Sequence, residues 1–330
     1  MPGADVLVRV DFKALSQVPM HGTAEDLIDQ QKMLMPWTRA IERALQAMGL
    51  KKEDVVAALM SLDLDTVAMS HRDGSAADYE KASMALALQV VKPVTPAQLH
   101  AGLTAAAGNR TGITVSEIIV AGRRVISAKS PDPAAPIIYV AVSADGRILF
   151  ATLNAAAMEA LFHRERKGTI EVLSPTLVLA AGDLVGAQIQ ASVALPEGAR
   201  QALREALDRP RSSGELGWLL AMGLMNPVKS LVSLACGFAF RQDLVVTLAL
   251  GFEDDASAQQ AHALVQGILV PMLRNAAQSD QGGQTVALDK AVSCMIKGRN
   301  VVVTLALTEG DLRSVWGKKV VAAGPQEREY

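Results

Sequence analysis

Leu86-Ala87-Leu88, followed by Gln98-Leu99-His100-Ala101, returns in the second half of the chain as Leu248-Ala249-Leu250, followed by Gln260-Ala261-His262-Ala263, with the same spacing between the two motifs. Further on, Gly122-Arg123-Arg124-Val125 returns as Gly298-Arg299-Asn300-Val301 at a longer offset, so the second copy carries an insertion between these landmarks. Each half reads as strand, helix, two antiparallel strands, helix, two more strands, from period-two alternation and helical spacing of the apolar residues. The expected fold is α+β: two tandem, pseudo-repeated two-layer units, residues 1–168 and 169–330, each an antiparallel sheet covered by helices. A split β-α-β arrangement is the simplest topology with that order.

Local signals fill in the elements. Val6 to Phe12 alternates as a strand, and Asp54 to Leu62 reads as a short helix. Thr66 to Ser70 and Ser83 to Val91 read as an antiparallel pair of strands. Thr95 precedes Pro96, which suits the first turn of a helix because its missing N–H is not needed there; Gly108 stops that helix. Gly122 supplies a tight turn between two strands, and Ala144-Asp145-Gly146 lies between apolar runs as a hairpin turn. The second unit opens with a short apolar element around Pro175 to Ala181, followed by the strand Ala187 to Leu195.

Composition narrows the function classes. The chain has 330 residues, half of them hydrophobic, with a net charge of −2 and aromatics at 4%. Its basic residues are scattered, and it lacks both a phosphate-binding footprint and aromatic platforms for single strands, so nucleic acid is not an expected partner. Cys236 and Cys294 show no metal-ligand spacing and sit in apolar strand-like runs; whether they pair is open at this level. The opening residues carry no secretory signal, and the secreted reading requires that one has been removed. Gly217 to Phe240 is the longest apolar stretch, but Pro227 and Lys229 cut it into runs too short to cross a bilayer, so no transmembrane segment is expected.

Chemistry-bearing constellations are sparse. His100 and His262 hold matched repeat positions and could titrate together or share a metal, but neither has a His, Asp or Glu partner three or four residues on. A place on a helix beside apolar residues, Leu99 and Leu103 for one and Leu264 and Val265 for the other, is the stronger explanation. GxSxG, HExxH and strand-linked GxGxxG motifs are missing, so no catalytic, cofactor-binding or metal residues are assigned and no cofactor is expected. The apolar segment carrying Trp218, Leu220, Met222 and Met225 is expected to be buried between the units or to contact a partner.

A strand such as Val6-Leu7-Val8-Arg9-Val10-Asp11, a hydrophobic strand before a helix as in Leu248 to His262, and a Gly-turn hairpin such as Lys297 to Val303 together resemble secreted bacterial proteins of unassigned function built from two such units. The resemblance implies an exported envelope protein and supplies no catalytic residues. The expected function is non-catalytic binding or assembly, with a protein or envelope component as partner and a secreted or periplasmic location; the alternative location is cytoplasmic. The alternative function is a hydrolase or metal-dependent enzyme with its site in a cleft between the units.

Overall fold

The computed structural model describes residues 5–18, 38–63, 84–108, 112–133, 135–167, 176–177, 182–184, 186–208, 225–271, 292–308 and 310–311. Their contacts form two compact units. The first holds strands β1 (Val6–Asp11), β2 (Val55–Leu62), β3 (Met84–Val90), β4 (Thr114–Val120), β5 (Arg123–Lys129), β6 (Ile138–Val142), β7 (Ile148–Thr152) and β8 (Ile189–Ala194). Its helices are α1 (Phe12–Leu15), α2 (Thr38–Ala47), α3 (Pro96–Ala107) and α4 (Ala155–Lys167). The second unit holds α5 (Glu197–Asp208), α6 (Met225–Lys229) and α7 (Asp255–Leu264) with β9 (Leu231–Phe240), β10 (Leu244–Phe252), β11 (Val292–Lys297) and β12 (Asn300–Leu307).

Within the first unit the strands lie in the order β8-β1-β2-β3-β7-β6-β5-β4, and within the second in the order β11-β12-β10-β9. Every one of these pairings is antiparallel. In the second unit β10 and β11, linked through α7, run in the same direction with the antiparallel β12 between them, which is the split β-α-β arrangement expected. In the first unit β1, β2 and β3 are neighbours in chain order. β8, which lies beyond residue 168, pairs with β1 through Val6–Val193, Val8–Ala191 and Val10–Ile189 and groups with the first unit.

Asp54 to Leu62 is also corrected, from helix to strand. Residues Lys52–Asp54 form one 3-10 turn, and Val55–Leu62 runs between β1 and β3. Its short apolar run fits either state by pattern, and two flanking strands offering hydrogen bonds on both edges decide in favour of the strand. β3 pairs with β2 and β7; the expected strand Thr66–Ser70 lies outside the described residues.

Helix α3 begins as its sequence dictates. The Thr95 hydroxyl accepts from the Gln98 N–H at 3.3 Å, and the Gln98 side chain accepts from the Thr95 N–H at 2.9 Å, a reciprocal cap that satisfies two end donors. Asp254 caps α7 by accepting from the Ser257 N–H at 2.8 Å. Gly122 and Ala121 both take positive φ, 78° and 48°, in the two-residue turn between β4 and β5, the geometry that matches strand twist.

The outer strands of the first unit are apolar on both faces, and both faces carry helices. Ile126, Val140, Val142 and Leu149 pack with Leu99 of α3 and with Met48 and Leu50 just after α2, while Val125, Ala141 and Phe150 pack with Met158 and Phe162 of α4. The two-layer expectation therefore gives way here to helices on either side of the sheet. The second unit has one core of α7 against Leu250, Phe252, Val301 and Val303, and another of Leu184 against Ala235, Ala249 and Val302 on alternate positions of the same strands.

Candidate functional site

Among the described residues, polar clusters pair internally and one broad apolar face is half-buried, while exposed large apolar side chains such as Leu59, Ile119 and Ile138 lie elsewhere. His100 lies on α3 and His262 on α7, each half-buried. They belong to different units, and among the described residues no group of three or more metal-capable side chains occurs around either. Trp218, Leu220 and Met222 lie outside the described residues. Met225 opens the five-residue helix α6, and its side chain also lies outside the description.

Cys236 on β9 and Cys294 on β11 are free and half-buried, and burial pushes both thiols above their ordinary value. A raised pKa leaves little thiolate at neutral pH, so neither is an activated nucleophile.

An open depression of about 430 Å³ lies in the first unit, lined by Val94, Thr95, Arg123, Arg124, Ser143 and Asp145 among others. Its cations are committed. Arg123 pairs with Glu165, donates to the Val142 carbonyl and stacks over the Phe162 ring at 4.0 Å. Arg124 pairs with Glu117 at 3.4 Å. Asp145 accepts from the Ser143 hydroxyl at 2.6 Å and from the Arg147 N–H at 3.0 Å, and these bonds hold its carboxyl below the usual range. Gly146 closes the turn at φ 72°, where an added Cβ would stand 2.8 Å from the Val94 carbonyl oxygen. The depression is a joint that fastens α4 and the β6–β7 hairpin to the sheet.

A second polar cluster does the same work in the other unit. Arg204 reaches Glu197 at 3.1 Å, Glu253 at 2.6 Å and the Lys229 carbonyl at 3.0 Å, while Arg200 pairs with the same two glutamates. These contacts tie α5 to α6 and to the end of β10.

The candidate site is the sheet face on β8, β1, β2 and β3. The register sets Val6, Val8 and Val10 beside Val193, Ala191 and Ile189 on one side and beside Leu62, Met60 and Ala58 on the other. Met84, Leu86 and Leu88 extend the same face on β3. All of these residues are aliphatic or methionine, and all are half-buried rather than buried. The opposite face of these strands is mixed, with Arg9, Asp11, Gln190 and Ser192 between Leu7 and Leu59. The apolar face continues beneath α2 and α3, because Leu88 and Ala151 already pack on their core.

Sequence periodicity points to β1 as a strand but hides this face. The signal that would have found it is the near-absence of polar residues at alternate positions of adjacent strands, readable only once β2 is known to be a strand. Strand spacings of about 4.8 Å and residue rises of about 3.4 Å give the face roughly 19 by 17 Å, about 320 Å². A stable protein pair buries about 800 Å² on each partner, so this face alone suits a smaller occupant, such as one amphipathic helix about 10 Å wide. No helix among the described residues is long and apolar enough to cross a membrane. Comparison with protein-family models, curated proteins and solved structures found no match to this chain.

Proposed function

We propose that the chain is a non-catalytic binding or assembly protein of the bacterial cell envelope, exported to act there. The observation that carries the binding role is the continuous apolar face of β8-β1-β2-β3, whose side chains are aliphatic and only half-buried. An apolar surface without hydrogen-bonding groups selects a partner's apolar stripe by area and shape.

The proposal includes a tandem pseudo-repeat. The order β2-β3-(β7-β6)-β5-β4 in one unit parallels β9-β10-β12-β11 in the other once the β6–β7 hairpin is set aside. α3 follows β3 as α7 follows β10, and the repeated leucines Leu88 and Leu250 both pack towards those helices. The first copy then carries the hairpin and α4 as additions.

The test uses the full chain and an apolar fluorescent dye of the anilinonaphthalene sulfonate type. Native protein is expected to bind the dye, and Val8→Asp or Met60→Asp to weaken that binding at least several-fold with the fold retained by circular dichroism. A thermal-shift series with metal ions, nucleotides and glycans runs alongside. A midpoint raised by a metal or nucleotide, together with dye binding indifferent to both substitutions, would overturn this reading in favour of an enzyme.

A further inference from the structure

β4 is an outer strand. It pairs with β5 on one side, and among the described residues nothing pairs with its other edge. The two-residue turn Ala121-Gly122 makes Val120 and Arg123 the closing hydrogen-bonded pair. By alternation Ile118, Ser116 and Thr114 also bond inward to β5, so Val115, Glu117 and Ile119 aim their N–H and C=O groups outward. Ile119 is 65% exposed. The outer strand of the other unit is guarded differently, since the Gln266 amide, in the π turn Val265–Leu269 after α7, donates to the Cys294 carbonyl of β11 at 3.4 Å. β4 has no such guard among the described residues. Its sequence is Thr-Val-Ser-Glu-Ile-Ile-Val, rich in strand-forming residues and carrying one charge.

We propose that two copies of this chain associate by pairing β4 with β4, antiparallel, about a two-fold axis at Ile118. The proposal rests on the assembly reading but uses a surface other than the apolar face. Outward-bonding residues must face outward-bonding residues, which leaves a small set of registers. Centring on Glu117 sets two carboxylates directly opposite, which is repulsive. Centring on Ile118 sets Glu117 of each copy opposite Ile119 of the other. Arg124 is the β5 neighbour of Ile119 and pairs through Nε with its own copy's Glu117, so the rest of its guanidinium lies in the same cross-strand row as the second copy's Glu117. Guanidinium and carboxylate then flank the covered isoleucine, and their charges attract. A short strand pair buries little area, so the association is weak and concentration-dependent.

Sedimentation equilibrium of the full chain from about 1 μM to about 1 mM covers that range. A monomer–dimer equilibrium is expected. Ile119→Pro removes an N–H that β5 does not use, and Ile119→Asp sets a carboxylate against the second copy's Glu117; both are expected to leave a folded monomer. In the proposed register the two Ile118 residues face each other with Cα atoms about 4.5 Å apart, within disulfide range. Ile118→Cys is therefore expected to cross-link under mild oxidation, and Glu117→Cys not. A monomer throughout the range, a dimer that survives both Ile119 substitutions, or preferential cross-linking by Glu117→Cys would overturn the proposal. Dye binding at Val8 and Met60 is read separately, so a monomer that still binds dye leaves the binding reading intact.

Discussion

Strands β5–β7 and strands β8, β1 and β2 are similarly apolar, yet they end in different environments. On β5–β7, Val125 and Ala141 are wholly buried and Ile126 nearly so, because α3 covers one face and α4 the other. On β1, β2 and β8, Val6, Val8, Val10, Met60, Ile189 and Val193 stay half-buried. Apolar alternation therefore reports that a face wants covering. Whether it is covered within its unit depends on where the helices land.

The largest expected effect falls on the covered side. Phe162 is fully buried between α4 and the sheet and carries Arg123 on its ring. Phe162→Ala is expected to lower unfolding free energy by about 3–5 kcal/mol in denaturant titration, through lost burial and the cavity left behind. Met60→Ala on the half-buried face should cost about 1 kcal/mol, below the roughly 2 kcal/mol minimum for a buried methionine. Equal losses at the two sites would erase the distinction between the regions.

A smaller effect tests how the cover is held. Thr95→Ala removes the side-chain cap of α3 and is expected to cost about 1 kcal/mol, while Thr95→Ser keeps the hydroxyl and most of the stability. If both variants melt alike, the reciprocal bond with Gln98 does not anchor the helix that covers the outer strands.

The smallest effect is one of pH. Asp145 is held below its ordinary value chiefly by the Ser143 hydroxyl, and Asp254 by the Ser257 N–H. Asp54 is lowered chiefly by the Lys51 N–H and then by Lys92. Depressed carboxyls contribute stability that is present above the ordinary value of 3.8 and lost as pH falls through the lowered one. The thermal midpoint should fall modestly on acidification below about pH 4, and Asp145→Asn should lower it at neutral pH while flattening that acid slope. An acid slope unchanged in Asp145→Asn would remove the hairpin from this account.

Much of the local architecture was legible in the sequence. Pro96 after Thr95, Gly122 between two apolar runs and Asp145-Gly146 each specify a backbone conformation that few other residues supply, so a helix start and two hairpins follow from short stretches alone. The repeated Leu-Ala-Leu runs likewise mark strands followed by helices. The pattern could not settle Val55–Leu62, because a short run apolar on both faces satisfies helix and strand alike until neighbours offer hydrogen bonds. It could not reveal that α4 closes the second face of β5–β7, since Met158 and Phe162 specify an apolar stripe but not the surface it meets. The same holds for the candidate site: Val8, Met60, Leu86 and Ala191 become one face only when β8 pairs with β1 and β2 becomes a strand. Turn chemistry and capping act within a few residues and are written in the sequence. Strand partners and helix placement depend on contacts between distant residues, so the tertiary structure alone decided them.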